Sequence, residues 1–159
     1  PIGNHPEVDY CASGQSTWTY DFGEGTWLAE YWNFDSSMNA SDNYGANVFA
    51  SAPDSSEYVD EIREDWFDWD GPAGQDDYYG VRYTATINVP ANCTMDMIVN
   101  GDDGYALYVD GVRAAENWGT HANEESSATV TLQPGENLVR VDYYEWTGFA
   151  EVGLRWRMS

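Results

Sequence analysis

Two adjacent acids followed by a glycine, Asp102-Asp103-Gly104, have the clearest capacity for chemistry in this chain. Neighbouring carboxylates suit a hard cation, and calcium takes roughly six to eight oxygen ligands. The same tripeptide also suits a tight turn, since Asp and Gly are both turn formers. The residue types leave both readings open. A second candidate is the polar stretch Glu145-Trp146-Thr147-Gly148-Phe149. A tryptophan in such a loop is costly unless it packs over the core or offers a face to a ligand. Asn117, Trp118 and His121 form a third group, in which His121 reads as a hydrogen-bonded structural residue. The acidic run Asp60, Glu61, Glu64, Asp65, Asp68, Asp70, Asp76 and Asp77 reads as a solvated face.

Catalytic signatures are missing from the sequence. There is no Gly-x-Ser-x-Gly, no His-Glu-x-x-His and no phosphate-cradling glycine loop. Paired carboxylates hydrolyse glycosides at separations of about 5–10 Å. With 28 acidic residues some pair meets that distance by chance, so the criterion decides nothing. The chain is therefore expected to bind and not to catalyse.

Charge narrows the partners. Against the 28 acids stand 6 basic residues, all arginine, and the formal net charge is -22. With no basic stripe, nucleic acid and anionic membranes are excluded as partners. Such a charge opposes compaction at low salt, and high ionic strength relieves it. A salt-rich setting follows as an expectation, beside that of an extracellular acidic protein that binds divalent cations. Aromatics make up 16% of the residues, too many for an acidic disordered tail. No apolar run approaches the roughly 18 residues of a membrane helix. Pro1 opens the chain with no charged n-region or apolar h-region, so a signal peptide is expected to be absent or already removed.

The two cysteines, Cys11 and Cys93, make no zinc pattern. A disulfide between them closes a loop of about 80 residues and constrains the unfolded chain by ~4 kcal/mol on the entropy model. Two buried thiols are the alternative. The acidity, the lack of lysine and the sequons at Asn39 and Asn92, both candidate glycosylation sites, favour the disulfide.

The elements that must position these groups read as strands. Residues 27–34 form a first strand, and residues 35–56, rich in Ser, Asn, Asp and Gly, form a long surface loop. Tyr58, Ile62 and Trp66 stand four apart, which predicts one or two helical turns over 57–66. From Tyr79 to Val89 apolar and polar residues alternate, and Pro90 ends the strand. Met95 to Val99, Tyr105 to Val109, Val130 to Leu132, Val139 to Tyr143 and Ala150 to Trp156 continue the series. Asp110-Gly111 is a hairpin signal. Short strands separated by Gly/Pro turns make an all-β, antiparallel sandwich or barrel. Residues 1–26 read as an irregular N-terminal arm of the same domain, and residues 27–159 as its body.

Several segments carry a family resemblance in order. These are WLAEYWN at 27–33, DWFDWDGP at 65–72, YYGVRYTATINVP at 78–90, NGDDGYALYVDGV at 100–112, ENWGTH at 116–121, TVTLQPGENLVRVDYYE at 129–145 and AEVGLRW at 150–156. Together they resemble the protective-antigen-type (PA-fourteen) domain over about 130 residues. The resemblance implies a lectin-like β-sandwich that is extracellular or at the cell surface. It also implies carbohydrate binding, as in adhesins, through a calcium ion. In the sugar-binding members two aspartates, here Asp102 and Asp103, are joined by a cis peptide and hold the ion. A facing loop completes the shell, here with Glu145, Thr147 and the main-chain carbonyls of 146–149. That loop lacks the asparagine often found there in adhesins. The carbohydrate contacts implied are Asp102, Asp103, Trp146, Gly148 and Phe149, with a glycan or cell-surface polysaccharide as partner. The missing asparagine and the well-populated arm motivate an alternative, a structural subunit of a fibre, surface layer or adhesin stalk that joins copies of itself through the arm.

Overall fold

The computed structural model describes Tyr10, residues 12–67 and residues 71–159. Among these residues there are ten strands: β1 (Trp27–Asn33), β2 (Ser55–Val59), β3 (Arg63–Phe67), β4 (Tyr79–Val89), β5 (Cys93–Asp102), β6 (Tyr105–Val109), β7 (Val112–Asn117), β8 (Glu124–Leu132), β9 (Gly135–Glu145) and β10 (Ala150–Met158). They form a six-stranded sheet in the order β2-β1-β4-β9-β6-β7 and a four-stranded sheet in the order β3-β10-β5-β8. Every pairing is antiparallel. The expected β-sandwich is the observed architecture.

Period-two alternation builds the core. Val81, Tyr83, Ala85, Ile87 and Val89 of β4 are buried, as are Met95, Met97 and Val99 of β5 and Val152, Leu154 and Trp156 of β10. These rows face one another between the sheets in one cluster. The β6–β7 hairpin turns at Asp110-Gly111 with φ of 50° and 80°, the left-handed pair that matches the twist of a two-residue hairpin. Asp110 also caps the neighbouring strand, since its carboxylate accepts the Leu138 N–H at 2.8 Å.

A second, smaller core lies on the outer face of the six-stranded sheet. Trp32, Gly80 and Tyr144 stand side by side across β1, β4 and β9. The loop between β1 and β2 folds over them and brings Ala40 and Val48 into contact with Trp32 and Tyr144. Gly80 is what lets the loop descend, because a Cβ there would sit 2.4 Å from Val48 Cγ1.

The helical turns predicted over 57–66 do not form. That segment is β2, a short link and β3. The four-residue spacing of Tyr58, Ile62 and Trp66 is fortuitous: Tyr58 is 58% exposed, while Ile62, in the link, is fully buried and its carbonyl accepts the Leu154 N–H at 2.9 Å. Pairing with β1 and β10 offers the backbone more than an isolated helical turn does.

The described part of the arm docks on its own chain. Thr19 bridges Trp156, and the Tyr10 hydroxyl donates to the Phe22 carbonyl at 2.9 Å. The rings of Tyr10 and Phe22 lie 5.0 Å and 5.9 Å from that of Trp156. Arg157 stacks on Trp18 at 4.5 Å. Cys93 is buried at the start of β5. Its expected partner Cys11 lies outside the described residues, as do Asp68 and Asp70 of the acidic run. Asn92 is exposed in the β4–β5 turn.

Candidate metal centre and binding cleft

The site arises where the chain changes sheets. Residues 103–104 cross from β5 in the four-stranded sheet to β6 in the six-stranded one, and residues 146–149 cross back from β9 to β10. Asp102 pairs with Glu151 and Glu145 with Tyr79, which puts both crossings at one end of the sandwich. The β7–β8 connection reaches the same end, because Asn117 pairs with Tyr105 and Glu124 with Gly101.

Asp103 holds these crossings together. Its Oδ1 accepts the His121 N–H at 3.1 Å and its Oδ2 accepts the Trp146 N–H at 2.7 Å. The residue is 2% exposed. The peptide bond between Asp102 and Asp103 is cis, as the resemblance implied. The Asp102 carbonyl accepts the Tyr143 hydroxyl at 2.5 Å. Gly104 is needed for close approach, since a Cβ would lie 2.3 Å from Tyr144 Cε1 and 2.9 Å from the Gly119 nitrogen. The Asp-Asp-Gly motif therefore serves packing at the crossings. Gly104→Ala is expected to cost about 1–3 kcal/mol, as overpacked cores do, read as a lower urea midpoint at unchanged slope. A midpoint equal to wild type would contradict this account.

Ligand oxygens of Asp102, Asp103 and Glu145 lie within 4.8 Å of one another. Glu145 is fully buried, and neither of its carboxylate oxygens has a hydrogen-bond partner among the described residues. Burial, then the neighbouring Asp103, pushes the Glu145 carboxyl well above the usual carboxylate range. Burial and the Asp103 charge raise Asp102 to about 6. A buried carboxylate without a partner is expensive, and the cost is relieved by a proton or a cation. The donor set is all oxygen, which fits a hard cation such as calcium and not zinc, which favours His and Cys. Asp103 retains free lone pairs after accepting two N–H groups. The residues present thus fit the cation that the sequence implied.

The rest of the loop is placed as follows. Thr147 is exposed at the tip. Gly148 takes φ of 90° and donates its N–H to Asp77 Oδ1 at 3.2 Å. Phe149 is 64% exposed. Trp146 is half-buried, edge-on to Tyr78 at 4.9 Å and near Phe34 at 6.2 Å. It also lines a hollow of about 150 Å³ with Asn39, Ser41, Thr120 and Tyr144. Trp146 therefore packs against neighbouring rings on one side and faces the hollow on the other. Asn39, the candidate glycosylation residue, sits at the rim of that hollow. Trp118 packs at 4.9 Å from Tyr144 and donates its indole N–H to the Ala40 carbonyl. Both ring nitrogens of His121 face carbonyls, those of Ala122 and Asn117, which is a structural role.

Asp77 was missed among the acids of its run. No residue-type signal separates it from Asp76, since its role exists only where its loop meets residues 146–149. The hollow beside Trp146 was also missed, because its walls come from three distant segments.

A family model described as the PA14 domain matches residues 25–159. Anti-sigma-I factor RsgI3 of Acetivibrio thermocellus is 30% identical over 95 residues, 57% of this chain and 15% of that protein. The chain thus spans a small part of the curated relative it matches. Among solved structures, a PA14 sugar-binding domain from an RTX adhesin superposes with a TM-score of 0.66 at 18% identity, covering 86% of this chain and 91% of that one. The epithelial adhesin 6 A domain of Candida glabrata, solved in complex with Galb1-3GlcNAc, superposes with a TM-score of 0.63 at 9% identity, covering 86% and 81%.

Proposed function

This chain belongs to the PA14 domain family, and from that premise we propose that it is a non-enzymatic, calcium-dependent carbohydrate-binding module acting outside the cell or at its surface. The observation that carries the reading is the buried Glu145 carboxylate, without a hydrogen-bond partner among the described residues, beside Asp102 and Asp103 at the end where the crossovers meet. When bound, calcium supplies a Lewis-acidic centre for sugar hydroxyls. The chain's own residues do the rest. Asp102, Asp103 and Glu145 hold the ion, with Thr147 and main-chain carbonyls of 146–149 as further oxygen donors. Asp103 also fixes the loop that carries Trp146. The half-buried indole and Phe149 offer apolar faces to a sugar ring, and Gly148 keeps the loop low.

Relatives support the glycan class. One is named for sugar binding and another was solved with a disaccharide. The net charge of -22 supports a salt- or calcium-rich setting, and a Cys11–Cys93 disulfide belongs to the same extracellular reading. Self-assembly through the arm is not favoured, since its described residues already pair with β10. A glycan array probed with the intact chain tests the proposal. Binding is expected to a subset of neutral glycans with calcium and to be lost in excess chelator. A blank array in calcium, or equal binding in chelator, overturns it.

A further inference from the structure

We infer that Asp77 is a positioning residue for the proposed calcium site: its carboxylate holds the Gly148 N–H and so fixes the direction in which the Thr147 carbonyl points. The inference rests on the calcium reading above, in which main-chain carbonyls of 146–149 serve as oxygen donors.

The loop needs such a hold. Trp146 is anchored through both backbone groups. Its N–H donates to Asp103 Oδ2 at 2.7 Å, and its carbonyl accepts the Tyr78 N–H at 3.0 Å. Ala150 is anchored again, buried and paired with Phe67. Between them Thr147 and Phe149 are exposed, and Gly148 takes φ of 90°. Among the described residues, the bond from the Gly148 N–H to Asp77 Oδ1, at 3.2 Å, is the one hydrogen bond that residues 147–149 make. A glycine has the widest choice of backbone conformations, so this bond decides among many.

Geometry turns the bond into a choice of donor. The cis peptide among the described residues is Asp102–Asp103, so the Thr147–Gly148 peptide is trans. In a trans peptide the carbonyl and the N–H point in opposite directions. Aiming the Gly148 N–H at Asp77 therefore aims the Thr147 carbonyl away from Asp77. The Trp146 carbonyl is already engaged by Tyr78, whereas no described group donates to the Thr147 carbonyl. Two carboxylates thus act on one loop, Asp103 on its first residue and Asp77 on its third.

Asp77 is itself carried on a stiff support. The Gln75 side-chain amide lies 2.7 Å from the carbonyls of Phe34, Asp77 and Tyr78. The Phe34 N–H donates to the Tyr78 carbonyl at 2.9 Å. Tyr78 takes φ of 60°, which non-glycine residues rarely adopt and which persists only where the surroundings impose it. The next residue, Tyr79, pairs with Glu145, so the support runs directly into the strand beside the third carboxylate.

Calcium titration calorimetry in concentrated sodium chloride, where the effect of a lost charge is screened, tests this. Asp77→Ala should raise the calcium dissociation constant about tenfold or more, as loss of a partner that orients a ligand does. Asp77→Asn keeps a side-chain oxygen for the Gly148 N–H and should bind nearly as wild type does. Amide hydrogen exchange of the chelated chain gives a readout without the ion. The Gly148 amide should exchange faster in Asp77→Ala, while core amides of β4 and β9 keep their wild-type rates. Unchanged calcium affinity in Asp77→Ala overturns the inference and spares the calcium reading. Equal weakening in both variants makes charge the cause, and faster exchange throughout the core makes the role structural; either overturns it. A wild-type chain that binds no calcium removes the calcium reading, and the inference with it.

Discussion

Calcium is expected to raise the melting temperature of the wild-type chain by roughly 5–10 °C when present at about 100 times its dissociation constant. Binding to the native state alone contributes ~2.7 kcal/mol at that excess. For a domain of this size each kcal/mol shifts the midpoint by about 2–4 °C. The shift should vanish in Asp102→Asn/Asp103→Asn and fall sharply in Glu145→Gln. The second variant is the more diagnostic. Asp103 accepts two backbone N–H groups, so its replacement loosens two loops as well as the ion site. Glu145 accepts none among the described residues. Its amide should therefore leave the chelated form as stable as chelated wild type, or more so, because a buried acid is gone. The melts belong in concentrated sodium chloride, where the net charge of -22 is already screened and general ionic effects of calcium cancel. A shift of equal size in Glu145→Gln would place the ion elsewhere. No shift in wild type would leave Asp-Asp-Gly as a structural turn.

Trp27→Ala should cost about 3–5 kcal/mol, roughly 10 °C in the melt, as large-to-small core changes do. The side chain is fully buried, and its ring meets Phe22 edge-on at 5.3 Å. Its loss opens a cavity between the arm and the first strand, so the arm should loosen with it. Trp27→Phe should cost much less than its lost volume suggests. The indole N–H has no acceptor among the described residues, and phenylalanine removes that unmet donor. Equal destabilisation by both variants would mean that the indole N–H carries no penalty. Urea midpoints at constant slope decide between them.

How much of this was legible before folding depended on where each strand lies. β4, β5, β6, β9 and β10 each have a neighbour on both sides, and their alternation was readable because one full face is buried. β2, β3 and β7 are edge strands. Their residues are half-exposed or exposed throughout, with burial too shallow to impose a period, and they were read as helix or left as loop. β2 and β3 gain their identity from the strands they pair with, β1 across a long loop and β10 far along the chain.

The site divides in the same way. Sequence alone determined that the chain is acidic, aromatic-rich and all-β antiparallel, with the family resemblance choosing the sandwich over a barrel, and it singled out Asp102, Asp103 and the stretch 145–149, because residue types carry turn and ligand chemistry. Tertiary structure decided that Glu145 is buried with no hydrogen-bond partner among the described residues and that Asp103 clamps two crossovers. It also decided that Asp77 holds Gly148 in the loop 146–149 and that a small hollow opens beside Trp146. Each of these depends on which chain segments meet where the two sheets exchange strands. That meeting is set by long-range strand register, and no window of neighbouring residues contains it.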